Sequence, residues 1–297
     1  MNAGAALLDL ARAGGVRSLF VVGTGKNVGK TVTVRAILES ASARDIAYGV
    51  TSIGRDGEAF DVADSSAKPR LFLRPGAILA TARETLPRHP ASIVLELSDL
   101  RTAAGTLVYA QVARAGYFEI AGPPSARGIR VCVERLRELG CEQTIVDGAI
   151  DRVAALAGGD DAIVVATGAS GATTMDDAID DVRALVGRLR VPAYDPTAPF
   201  LLVDGALTPG HAARLLAQGE SRQIVVRHPT QIAVSGKAFL GLIDRLTVRC
   251  EQPLRVVAAT VASIGRERYF EPRTFARAVA GATGLPTFDV YASAVAA

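Results

Sequence analysis

Nine residues near the N-terminus carry the most specific chemistry in the chain: Gly23-Thr24-Gly25-Lys26-Asn27-Val28-Gly29-Lys30-Thr31. Glycines let consecutive backbone N–H groups turn inward around an anion. A lysine directly after the last glycine can reach the β- and γ-phosphates of a nucleotide, and the threonine hydroxyl that follows can hold Mg²⁺. The candidate nucleotide ligands are therefore Gly25, Lys26, Asn27, Val28, Gly29, Lys30 and Thr31. Through its phosphate contact Lys30 is also a candidate catalytic residue.

A phosphate-bound Mg²⁺ wants oxygen ligands and commonly takes only one or two carboxylates from the protein. Asp147 suits that role, because it ends the apolar run Thr144-Ile145-Val146. The candidate metal ligands are Thr31 and Asp147; the other reading of Asp147 is a simple turn residue. Asp56, in Ser52-Ile53-Gly54-Arg55-Asp56-Gly57-Glu58, is the second candidate catalytic residue. It and Glu58 could orient metal or water at the end of a strand, with Arg55 neutralising phosphate, or the segment is a solvated turn. Glu119 could face the cleft or water. Thr167-Gly168-Ala169-Ser170-Gly171 could touch base or ribose, or be a plain turn. The dipeptide after Val146 recurs as Asp204-Gly205 after Val203, which suggests convergent strand-end turns.

These residues need a scaffold of strands that deliver them at one end. The loop follows the apolar run Ser18-Leu19-Phe20-Val21-Val22 and opens a helix-compatible stretch, the strand–loop–helix layout of a P-loop. Strands are expected at 18–22, 46–53, 92–97, 117–121, 143–146, 162–166, 200–203, 223–226, 254–260 and 287–290. Helices are expected at 28–43, 126–139, 175–190, 209–217 and 272–281, with a further amphipathic helix within 1–13. Unbroken apolar runs such as Ile163-Val164-Val165 suit parallel strands covered on both faces. The expected fold class is α/β, a doubly wound, mostly parallel sheet of the P-loop NTPase type. Thr174 and Thr208-Pro209 read as helix starts. Residues 56–73 read as a loop or small subdomain. One domain over 1–297 is expected; Pro192, Pro196 and Pro199 mark the alternative, a subdivision near 197.

Bulk properties narrow the partners. The chain has 297 residues, 49% apolar and 21% charged, which suits a folded globule. A net charge of +3 with interleaved signs and no Trp argues against nucleic acid. No apolar run approaches the roughly 20 residues needed to span a bilayer. Met1 to Ala13 lacks a basic leader and carries Asp9, so a cytoplasmic location is expected. Cys132, Cys141 and Cys250 form no metal-type pair and should be buried reduced thiols, and His89, His211 and His228 are widely spaced. The only asparagines are Asn2 and Asn27, so a guanine-reading Asn-Lys-x-Asp segment is absent and ATP is the expected nucleotide.

The loop departs from the commonest P-loop pattern at Thr24, where that pattern starts with glycine. A Gly-Thr pair leading to Val-Gly-Lys-Thr resembles dethiobiotin synthetase, which uses ATP and CO₂ to close a ureido ring on a diamine. That family has lysine–proline after its second strand and a Glu-Gly-Ala-Gly-Gly segment. This chain has Thr51-Ser52-Ile53-Gly54-Arg55 and Asp147-Gly148-Ala149-Ile150-Asp151 instead. Over most of its length the chain is more similar to the accessory subunit encoded with lysine 5,6-aminomutase. The P-loop, Ser52 to Glu58, Thr81-Ala82-Arg83, Glu119-Ile120-Ala121-Gly122-Pro123, Asp147 to Arg152, Ala166 to Ala169 and Leu285-Pro286-Thr287-Phe288-Asp289-Val290 occur in that order. The resemblance implies an ATP- and Mg²⁺-dependent protein that reactivates an adenosylcobalamin-dependent aminomutase. It further implies that mutase as partner, a second reactivase subunit and a homodimer. An ATP-dependent small-molecule ligase or kinase is the alternative.

Overall fold

Unbroken apolar runs in the sequence become buried parallel strands in the computed structural model, which describes residues 2–53, 70–86, 91–148 and 161–291. The protein is mixed α/β with a large, mostly parallel central sheet. No helix among the described residues is long and apolar enough to cross a membrane. The chain divides into two compact units: Met1–Gly23, Gly29–Ala162 and Val290–Ala297 form one, and Thr24–Val28 with Ile163–Asp289 form the other.

The first unit runs α1 (Ala3–Ala13), β1 (Ser18–Gly23), α2 (Lys30–Ala43), β2 (Tyr48–Ser52), β3 (Arg70–Leu73), β4 (Ile78–Ala82), β5 (Ser92–Thr102), β6 (Gly105–Val112), β7 (Gly116–Glu119), α3 (Ala126–Glu138) and β8 (Gln143–Asp147). Its part of the central sheet has the order β1-β8-β2-β4-β6-β5. The first four strands are parallel; β4-β6 and β6-β5 are antiparallel. All of β1 is buried, as a strand covered on both faces requires. Ser18 can sit there because Arg137 Nη2 donates to its hydroxyl (2.7 Å) while also pairing with Asp161 (3.1 Å). Behind β4 and β6, Tyr109, Leu107, Ile78 and Ala80 pack on Cys132 and Leu136 of α3. β3 and β7 form a separate antiparallel ribbon.

The second unit contains β9 (Asp161–Gly168, apart from its first residues), α4 (Met175–Leu189), β10 (Phe200–Leu202), α5 (Pro209–Ala217), β11 (Gln223–Val226), α6 (Gly236–Ile243), β12 (Val248–Cys250), β13 (Val256–Ala262), α7 (Pro272–Thr283) and β14 (Thr287–Asp289). Strands β9, β13 and β14 pair in parallel. A second parallel sheet, β10-β11-β12, has its own core around Val203, Ile224, Val226 and Phe239. The expected helix caps form. Thr174 and Asp177 make a reciprocal capping box, and Thr208 accepts from His211 N–H ahead of Pro209.

Strands β3, β4, β6 and β12 and helix α6 are additions to the sequence reading, and β5 runs on to Thr102 as one arm of a hairpin with β6. Residues 70–73 of the stretch read as a loop or small subdomain are β3. The three cysteines are buried and unbridged, and burial pushes the Cys132 and Cys141 thiols up to about 12 and Cys250 to about 11.

Candidate functional site

Helix α2 begins without a side-chain cap. Its N-cap is Gly29 at φ 95°, a left-handed conformation that a residue with a Cβ adopts only under strain. The caps of α1, α3, α4, α5 and α7 each satisfy a first-turn N–H with a side-chain oxygen, whereas α6, like α2, has no side-chain cap bond. At α2 the N-cap Gly29 brings no side-chain oxygen of its own, and the positive end of a helix dipole favours an anion. Lys30 is the first residue of this helix and Thr31 the second; both are partly exposed.

Asp147 reaches the same neighbourhood because β8 lies between β1 and β2. Phe20 and Val21 register with Val146 and Asp147, and Thr51 and Ser52 with the same pair from the other side. The backbone past the strand end is clamped on both sides: Gly148 N–H donates to Val21 O (3.0 Å) and Ile53 N–H to Asp147 O (2.9 Å). Burial raises the Asp147 carboxyl, and the positive charge of Lys30 pulls the other way. Burial wins, leaving the group pushed up to about 6. A desolvated carboxylate within the field of one lysine is short of positive charge. Among the described residues no group of three or more His, Cys, Asp or Glu could hold a metal. Thr31 and Asp147 carry oxygen donors of the kind Mg²⁺ takes, a metal that uses few protein ligands and fills its shell with phosphate and water.

In the second unit, Thr24–Val28 is held by β9 and the turn after it. Thr24 N–H donates to Ala166 O (3.0 Å), and its hydroxyl donates to that of Thr167 (3.3 Å). Val28 is buried, and a Cβ on Gly171 would lie 2.5 Å from Val28 Cγ1. The glycine-rich turn 167–171 thus braces the loop residue Val28. Gly25 is partly exposed, whereas Lys26 and Asn27 are exposed at the tip, Asn27 at φ 59°. Asp56, with Arg55 and Glu58, lies outside the described residues.

Two hydroxyls to which the sequence assigned no role lie at or near the ends of β2 and β4, Ser52 being in register with Asp147. Ser52 Oγ donates to Ile120 O (3.0 Å) and accepts from Gly122 N–H (3.1 Å). Thr81 Oγ1 donates to Glu119 O (3.0 Å) and accepts from Ala121 N–H (2.8 Å). They lace residues 119–122 along the carboxyl ends of β2 and β4, so close that a Cβ on Gly122 would fall 1.7 Å from Ser52 O. The available signal was the placement of Ser52 and Thr81 at or near strand ends. Asp204, by contrast, is exposed after β10. No protein-family model, curated protein or solved structure matches the chain.

Proposed function

We propose that the protein binds ATP with Mg²⁺ at residues 25–31 and hydrolyses it slowly. The observation that carries this reading is the pairing of α2, headed by Gly29, Lys30 and Thr31 with no side-chain cap, with the half-buried Asp147 carboxylate on which Lys30 acts. Lys30 and the first-turn N–H groups would hold the phosphates, while Thr31 and Asp147 would hold the metal. Bound Mg²⁺ would neutralise charge on the phosphate oxygens. Asp56 remains the proposed group for orienting water.

The purpose proposed for this turnover is that of a cytoplasmic accessory protein reactivating an adenosylcobalamin-dependent aminomutase, together with a second reactivase subunit. The order along the chain of the segments that carry the resemblance supports it. Nucleotide state can bias such a partner only through differential affinity, commonly about 1–3 kcal/mol. Basal ATP turnover should therefore be slow and should rise when the mutase is added. Brisk turnover indifferent to the mutase would contradict the accessory role. The laced segment 119–122 favours a second reading, an ATP-dependent ligase or kinase, because it gives a second ligand a built wall beside β2. ADP formation only in the presence of one metabolite would select that reading.

A further inference from the structure

β3 and β7 pair antiparallel, and alternation along each strand sends its side chains to two faces of the ribbon. Leu71, Leu73 and Phe118 are buried on the inner face. The outer face sets Phe72 opposite Tyr117 and Arg70 opposite Glu119. Both rings are exposed, Phe72 by 37% and Tyr117 by 60%, and they meet edge to face with centroids 5.3 Å apart. Such a cross-strand pair fixes its own rings in place before any partner arrives.

Single exposed aromatics are ordinary; the charge around these two is what sets the face apart. Arg70 and Arg74 stand two residues either side of Phe72, and both are exposed. Arg35 of α2 donates to Arg70 O (3.0 Å), which brings a third exposed guanidinium to the β3 edge. Arg114 lies exposed two residues before β7. Glu119 is the one carboxylate on the two strands. Among the described residues, none of Arg35, Arg70, Arg74 and Arg114 forms an ion pair, whereas other arginines of the same unit do: Arg12 with Glu142, Arg44 with Asp9, Arg135 with Glu96 and Glu138, and Arg137 with Asp161.

We propose that the outer face of the β3–β7 ribbon docks an acidic segment of a partner protein. That segment sets an apolar side chain on the Phe72–Tyr117 pair and carboxylates against Arg70 and Arg74. Aromatic residues and arginine are the side chains enriched at protein interfaces, where they dominate the binding energy. Nucleic acid fits this face less well. A strong phosphate binder makes about 6–10 backbone contacts, more than these arginines supply, and edge-to-face packing occupies ring surface that a base would stack on. The inference does not depend on the nucleotide reading.

Fluorescence anisotropy on the full chain without ATP tests it, with a short labelled peptide of alternating glutamate and leucine as the probe. The peptide should bind, and more weakly as salt rises. Its glutamine–leucine counterpart should bind roughly tenfold more weakly. Tyr117→Ala should lower affinity roughly fivefold or more, and so should Arg70→Gln combined with Arg74→Gln. All three side chains are exposed, so the circular dichroism spectrum should be retained. Arg273→Gln with Arg277→Gln removes the same charge from exposed positions of α7 and should leave the affinity unchanged. Failure of the acidic peptide to bind, equal binding of the two peptides, or equal losses from the ribbon and α7 variants would overturn the proposal. Tighter binding of a labelled oligothymidylate, or self-association of the chain that Tyr117→Ala abolishes, would overturn it in favour of a different occupant.

Discussion

Asp147 is the residue on which the proposed metal chemistry turns. Its carboxyl is raised from 3.8 to about 6, so the folded state binds this proton more tightly than the unfolded chain does. Below pH 3.8 both states are protonated and the group is neutral to stability. Between 3.8 and about 6 stability falls as pH rises, and above 6 the full penalty applies. Asp147→Asn should therefore raise the apo-protein's melting temperature at pH 7 relative to wild type, an advantage that disappears by pH 4. The same substitution should abolish the extra stabilisation that Mg²⁺ gives in the presence of ATP. In wild type, apparent Mg²⁺ affinity should weaken about tenfold per pH unit below 6, because the metal must displace the proton. Calorimetric Mg²⁺ titrations at pH 5 and 7 with a non-hydrolysable ATP analogue check this. The sequence already showed Asp147 as a strand-end carboxylate. It could not show how the repeated Asp-Gly pair divides. Gly205 takes φ 81° in an open turn, whereas Gly148 sits against Val21 O and Ile53, each 3.4 Å from where a Cβ would be. The same dipeptide serves two purposes that only packing separates.

At the scale of elements, the decisive event is the insertion of β8 between β1 and β2, which brings Asp147 beside Ser52 and within the field of Lys30. Strands built on apolar runs, such as β1, β9 and β11, were legible because burial on both faces leaves that signature. β4 and β6 were not: one is Ile-Leu-Ala-Thr-Ala, and the other follows a hairpin turn, so tertiary pairing defines both. β12 has three residues, too few for a pattern. The lacing of 119–122 was hidden for a related reason, since it joins residues as far apart as Ser52 and Gly122. Gly122→Ala should drive a methyl into the Ser52 carbonyl and destabilise the fold by about 1–3 kcal/mol. Gly210→Ala, on a helix where nothing lies within 4 Å of the new methyl, should be neutral or slightly stabilising. Urea denaturation of both variants makes the comparison.

For the whole molecule, the α/β class with a large, mostly parallel sheet could be read from the alternation of apolar runs and amphipathic stretches. The division into two units could not, because Thr24–Val28 belongs with residues far along the chain. A ligand that binds only the folded state stabilises all of it, by about 2.7 kcal/mol at one hundred times its dissociation constant. The most direct measurement is therefore the melting temperature of wild type and Lys30→Ala across a Mg²⁺–ATP titration. Wild type should rise with ATP concentration. Lys30→Ala should keep its fold and need roughly 10–100-fold more ATP for the same rise, the loss expected for a charged phosphate contact worth about 1.5–3 kcal/mol. If the two proteins rise together, or neither responds, residues 29–31 are not a nucleotide phosphate site.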